Sequence, residues 1–151
     1  MIIIRRMEEE DLPQVADIEA DLFGDPWSES DFRDSLKQPE AGFLAAEDQD
    51  KGIVGYCGGY RALDEVEIVN VAVRRDCQNA GIGCRLVDRL VRDYILEGVH
   101  YFILEVRMSN LAAQHVYEKL GFRKIGVRKR FYDSPVEDAV IMQKEYITAD
   151  E

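Results

Sequence analysis

No apolar run in this 151-residue chain approaches the roughly 18 residues that a membrane-crossing helix requires. No leader is expected either. Met1-Ile2-Ile3-Ile4-Arg5-Arg6 places its charges after a short apolar run, the reverse of a signal peptide. The segment reads as an opening strand, and a cytoplasmic protein without a membrane partner is expected. Cysteine is scarce: Cys57, Cys77 and Cys84 form an odd set with no C-x-x-C pair, which argues against both a disulfide framework and a zinc site. His100 and His115 lie far apart with no Cys or His at ligand spacing, so no metal is expected. Basic residues are outnumbered 19 to 30, and the resulting net charge of -11 repels a phosphate backbone. Nucleic acid is therefore disfavoured as a partner. The same field attracts a cationic acceptor, such as an Arg-rich or Lys-rich peptide or a polyamine, unless it serves solubility alone.

A chain of this length buries roughly two-thirds of its unfolded surface, enough for one core. Residues 1–151 are accordingly expected to form a single domain. Asp11 is placed to cap a helix with Pro13 in its first turn. Leu12, Val15, Ile18 and Leu22 then recur at helical spacing, with Glu19 as a polar interruption. Ser28 and Asp31 resemble a capping box opening a second helix, and the loop before it holds the one tryptophan, Trp27. Gly42 to Glu47, Ile53 to Arg61 and Glu65 to Val73 read as an antiparallel meander. In the third of these strands Glu67, Val69, Val71 and Val73 alternate onto one face. The period then changes, and Leu86, Val87, Leu90, Val91, Tyr94 and Ile95 share one face of a helix stopping at Gly98. Tyr101 to Val106 is apolar enough to suggest a strand buried on both faces. A helix from about Ser109 to Leu120 and strands near Lys124–Tyr132 and Asp138–Gln143 complete a mixed α/β sheet flanked by helices.

Gln78-Asn79-Ala80-Gly81-Ile82-Gly83 lies directly between a strand and an amphipathic helix. There a glycine turn lets backbone N–H groups approach an anion, helped by the positive end of the helix. A dinucleotide fingerprint would need Gly or Ala where Leu86 stands, and a P-loop would need Lys-Ser or Lys-Thr where Cys84-Arg85 stands. Alone, the hexapeptide is equally a tight strand-to-helix connection. It is followed by Leu104-Glu105-Val106-Arg107-Met108-Ser109-Asn110 and by Val116-Tyr117-Glu118-Lys119-Leu120-Gly121-Phe122.

Together these segments resemble the GNAT superfamily of acyl-CoA N-acyltransferases: Gln78 to Gly83 matches its Gln/Arg-x-x-Gly-x-Gly/Ala signature. Asn110, Ala113, Tyr117, Gly121 and Phe122 match its second run. Asp25-Pro26-Trp27-Ser28-Glu29, Asn70-Val71-Ala72-Val73 and Glu137-Asp138-Ala139 are most similar to the ribosomal-protein-alanine N-acetyltransferase (RimI) branch. The resemblance implies the GNAT fold, with acetyl-CoA as cofactor and coenzyme A as product. The acceptor it implies is a basic protein amino terminus, such as alanine of a ribosomal small-subunit protein.

By the same resemblance the pantetheine arm runs along Val71, Ala72 and Val73. Backbone from Gln78 through Asn79, Ala80, Gly81, Ile82, Gly83 and Cys84 holds the pyrophosphate, and Asn110 touches the pantetheine unless it is a plain helix cap. Glu105 is implied as the base, with an ion-paired carboxylate as its structural alternative and Glu67 as the rival base. Tyr117 is implied as the acid, or else it is a core aromatic. Trp27 and Tyr132 are implied as walls of the acceptor groove, with Trp27 alternatively a hydrophobic plug. Phe131 stands where a tyrosine is usual, and Asp133-Ser134-Pro135 replaces a longer loop, so the acceptor is less firmly implied than the cofactor. A polyamine or lysine acceptor, and a non-catalytic acyl-CoA sensor, are the alternatives.

Overall fold

A computed structural model describes residues 1–147, and the last four residues of the expected 1–151 span lie outside it. The strands are β1 (Ile2–Arg6), β2 (Ala41–Asp48), β3 (Gly52–Ala62), β4 (Glu65–Val73), β5 (Tyr101–Arg107), β6 (Arg123–Tyr132) and β7 (Glu137–Glu145). The helices are α1 (Leu12–Leu22), α2 (Glu29–Leu36), α3 (Ile82–Leu96) and α4 (Leu111–Lys119). One seven-stranded sheet runs in the order β1-β2-β3-β4-β5-β7-β6. Every neighbouring pair is antiparallel except β4 and β5. A parallel pair needs a crossover, and α3, with its long apolar stripe, supplies it.

The two faces of the sheet carry separate cores. Leu86, Val87, Leu90 and Val91 of α3 pack with Val66, Ile68, Phe102, Leu104 and Tyr117. On the other face Leu12, Val15, Ile18 and Phe32 of α1 and α2 pack with Phe43, Tyr56 and Ala72. Full burial of each such side chain is worth about 1.5–3 kcal/mol, so both layers hold the sheet.

The capping box at α2 forms as the sequence suggests: Ser28 Oγ accepts from Asp31 N, and Asp31 accepts from Ser28 N. At α1 the expectation fails. Asp11 makes no side-chain cap, because its buried carboxylate is taken by the Arg5 guanidinium at 2.8 Å and by Glu8 N. β5 also departs from expectation, since Phe102, Leu104 and Val106 are buried while Tyr101, Ile103, Glu105 and Arg107 are only half covered.

The register of β4 is the third correction. Gly58 pairs with Asn70 but Gly59 pairs with Ile68, so Val69 is an extra residue, a β-bulge. The bulge reverses the alternation: Val66 and Ile68, then Val71 and Val73, pack on the α3 side, while Ala72 joins the core on the α1 side. Glu67, Val69, Val71 and Val73 therefore do not share a face. The β4–β5 pairing ends at the same point, with Ile68 opposite Leu104 as its last pair. Beyond it one edge of residues 69–73 is unpaired and the sheet is slit.

Candidate functional site

The slit opens into a cleft of ≈ 620 Å³ that passes from the α3 and α4 face of the sheet to the α1 and α2 face. Val71, Ala72, Val73, Gln78, Asn79, Gly81, Ile82, Gly83, Cys84, Glu105, Asn110, Tyr117, Trp27 and Tyr132 all line it. The structure thus brings together nearly every residue singled out from the sequence. Ala80 and Glu67 are absent from the lining. Ala80 lies in the turn itself, and Glu67 sits at the sheet surface close enough to act on Glu105.

The turn before α3 has the geometry of an anion cradle. Asn79 and Gly81 both adopt positive φ, at 64° and 80°, and Gln78 Nε2 ties the turn to Val73 O at 3.0 Å. The first intrahelical bond runs from Arg85 N to Gly81 O. The N–H groups of Ile82, Gly83 and Cys84 therefore face outward from a helix end with no side-chain cap and no acid in its first turn. A Cβ on Gly81 would meet nothing within 4 Å, so the space above it is open. Gly83 differs: its Cβ would rest against Val73 Cγ2 at 3.6 Å, which is ordinary packing. Asn110 caps α4 by accepting from Ala113 N, so the cap reading holds although the residue also lines the cleft.

Glu105 belongs to the half-covered face of β5, with its side chain 10% exposed. Burial, and then Glu67, push its carboxyl above the ordinary value, and Arg128 at 3.5 Å opposes them. Burial wins because Arg128 is itself 55% exposed and screened by water. Tyr117 projects from α4 on the opposite face, buried beside Phe122. Burial pushes its phenol well above the ordinary range, so it holds its proton at neutral pH. Among the described residues no hydrogen bond joins Cys77 or Cys84 to a histidine, and burial followed by Asp76 raises the Cys77 thiol.

The α1 and α2 side of the cleft is walled by aromatic residues. Trp27 lies 5.1 Å from Phe32 and 6.4 Å from Phe43, so it plugs the core and lines the cleft at once. Its backbone N–H donates to Glu19, which is nearly fully buried and also receives the Tyr56 hydroxyl at 2.5 Å. The polar interruption in α1 is thus the tie between sheet and loop. Opposite stands Tyr132, delivered by a further register shift between Arg128 and Tyr132 in which Asp138 receives Arg130 N. Burial and then Glu105 push Tyr132 up to about 12, against Arg107. Phe131 packs edge-on to Tyr132 at 5.0 Å and lines the cleft where its replacement of a tyrosine was noted.

Two organising residues carried no signal in a strand or loop pattern. Arg107 stacks 4.4 Å from the Tyr132 centroid and donates to Asp133 O, Pro135 O and Glu137. Glu137 in turn accepts from Ser109 N, joining the β6–β7 turn to the start of α4. Gly24 lies against Ser134, where any Cβ would collide with the carbonyl of that turn. The α1–α2 loop and the β6–β7 turn thus meet across the cleft.

Residues 12–122 match the acetyltransferase (GNAT) family model. The chain is 34% identical over 144 residues to ribosomal protein bS18-alanine N-acetyltransferase of Escherichia coli, covering 94% of this chain and 96% of that protein. It is 33% identical over 150 residues to N-alpha-acetyltransferase RimI of Mycobacterium tuberculosis, covering 95% and 92%. The crystal structure of the ribosomal-protein-S18-alanine N-acetyltransferase from Escherichia coli superposes with a TM-score of 0.89 and 32% identity, over 99% of this chain and 96% of that one.

Proposed function

The chain belongs to the GNAT acetyltransferase family, and from that premise we propose that it transfers acetyl from acetyl-CoA to the α-amine of a protein amino terminus, with an alanine-headed basic ribosomal protein as acceptor. The observation that carries this reading is the through-sheet cleft, which offers an anion cradle and a retained phenol on one face and a carboxyl between aromatic walls on the other. Relatives named for bS18 alanine and for N-alpha acetylation support the acceptor.

The residues fit acetyl-CoA. The open space over Gly81 and the uncapped N–H groups of Ile82, Gly83 and Cys84 suit a pyrophosphate. The unpaired edge of Val71, Ala72 and Val73 suits an amide-bearing arm. When bound, acetyl-CoA supplies the thioester carbonyl and the thiol leaving group. Glu105 removes the ammonium proton, directly or through water. A carboxyl raised toward the α-amine's ~7.7–8.0 is a better matched acceptor than an ordinary one. Tyr117 keeps a proton available on the leaving-group side. Trp27, Tyr132 and Phe131 enclose the acceptor's first residues, and the net charge of -11 draws a basic chain.

Mass spectrometry of products tests the reading with an Ala-headed Arg-rich peptide, its blocked lysine-bearing counterpart and spermidine in competition. The free terminus should win, and its advantage should shrink as the Debye length falls from about 10 Å at 0.1 M salt to about 3 Å at 1 M. Equal acetylation of the blocked peptide's lysine would refute it.

A further inference from the structure

Asn70 is nine-tenths buried on β4, and its Oδ1 is fully enclosed with no hydrogen-bond partner among the described residues. An unpaired buried amide oxygen costs about 1–3 kcal/mol. That cost is relieved only when a bound group or water completes the pairing. The residue lines the cleft. Its register with Gly58, in step with Ala72 opposite Tyr56, puts it on the face of Tyr56 and Trp27 rather than the α3 face. It stands two residues past the last β4–β5 pair, and Glu105 stands one past it on the facing strand. The other buried polar groups nearby are already engaged: Glu19 with Tyr56 and Trp27, and Gln114 with the carbonyls of Arg107 and Met108.

We propose that Asn70 determines acceptor class by pairing its carboxamide with the terminal residue of the incoming chain. The inference rests on the amino-terminal reading above. A carboxamide offers one acceptor oxygen and a two-hydrogen donor, and a terminal residue offers an amine N–H and, two atoms further on, a carbonyl. A half-turn about χ2 exchanges the two ends of the amide, so either end meets its complement. A lysine side-chain amine or a polyamine has no carbonyl at that spacing and leaves one end of Asn70 unpaired. Sites built to hydrogen-bond a substrate reject analogues that lack the partner.

Asn70→Ala and Asn70→Val are compared with wild type on the same three acceptors, alongside acetyl-CoA affinity by calorimetry and thermal midpoint. For the free-terminus peptide kcat/KM should fall about tenfold to hundredfold. For the blocked peptide and spermidine it should change by less than about twofold, so that discrimination collapses. Acetyl-CoA affinity should hold, and the midpoint should stay level or rise because an unpaired polar group has been removed. Variants that keep the wild-type discrimination overturn the proposal. So does a lowered midpoint with all three acceptors slowed in proportion, the signature of a structural role. A wild-type enzyme with no preference for the free terminus overturns the amino-terminal reading itself, before any variant is made.

Discussion

Replacing Arg107 with Gln should loosen the acceptor wall without touching the cofactor cradle. The guanidinium holds the β6–β7 turn by bonds of 3.0 Å to each of the carbonyls of Asp133 and Pro135, and by its stack on Tyr132. Its side chain is 27% exposed, so each bond is set near 1 kcal/mol rather than at the upper value for charged donors. The stack adds about 0.5–1 kcal/mol, giving a total of roughly 3 kcal/mol, or about a hundredfold in the ratio of ordered to open turn. Global stability should fall less, because a surface turn opens without unfolding the sheet. Acceptor affinity falls with the population of the competent turn, so the acceptor KM should rise, by up to about a hundredfold, while acetyl-CoA affinity stays within about twofold. Arg107→Lys should be intermediate, since an ammonium keeps the charge but cannot fork onto two carbonyls. Fluorescence of the single tryptophan, Trp27, reports the wall directly, because the turn meets the α1–α2 loop at Gly24. An unchanged acceptor KM, or an acetyl-CoA affinity that weakens in step with it, would refute the reasoning.

Glu105→Gln and Tyr117→Phe should each cost on the order of a hundredfold in kcat with acetyl-CoA affinity nearly intact, as steady-state kinetics and calorimetry would show. With Glu105 as the proposed base, which must be ionised, the acid limb of kcat/KM should follow its carboxyl. Glu67→Gln removes a raising neighbour and should move that limb to lower pH, whereas Arg128→Gln removes a lowering one and should move it to higher pH. Gly81→Val should weaken acetyl-CoA binding strongly, since the side chain fills the open space over the cradle, and should cost about 1–2 kcal/mol in stability from its positive φ. Gly83→Ala should bind nearly as well as wild type, its methyl resting on Val73. Tyr56→Phe leaves buried Glu19 with the Trp27 N–H alone, and a thermal midpoint lower by roughly 4–8 °C would match about 2 kcal/mol for that hydroxyl.

Element order and the glycine turn before α3 were legible because their signals are local. Leu86 to Ile95 fall on one helical face, and observed strand ends lie within two residues of those read from alternation. The bulge at Val69 was not legible, for Glu67, Val69, Val71 and Val73 look like an unbroken alternation. It arises across the sheet, where Gly59 lets Glu67 O approach within 2.9 Å of its Cβ position. Asp11 misled for a similar reason: it has the chemistry of a cap, but folding brings Arg5 to it from the neighbouring strand. Arg107 reads as an ordinary charge ending a strand, and its four contacts exist only after a turn nearly thirty residues later folds back over it. Asn70 did leave a trace, a polar residue inside an apolar strand, but its missing partners are visible only when the neighbouring side chains are in place.

The bulge and the slit explain why the chemistry divides between faces. Had β4 stayed in register with β5 beyond Ile68, backbone bonds would have sealed the sheet and separated Tyr117 from Glu105. With the pairing cut, the free edge of Val71, Ala72 and Val73 would hold the thioester between Tyr117 of α4 and Glu105 of β5. In the proposed reaction the amine approaches from the α1 and α2 side, and Glu105 and Tyr117 serve proton removal and proton return from opposite faces of the sheet. The same placement keeps the carboxyl and the phenol in different surroundings: Glu105 near solvent-exposed Glu67 and Arg128, Tyr117 within the α3 core. Each can therefore be tuned without disturbing the other, which is why charge changes at Glu67 or Arg128 should move the acid limb and leave the proton donor untouched.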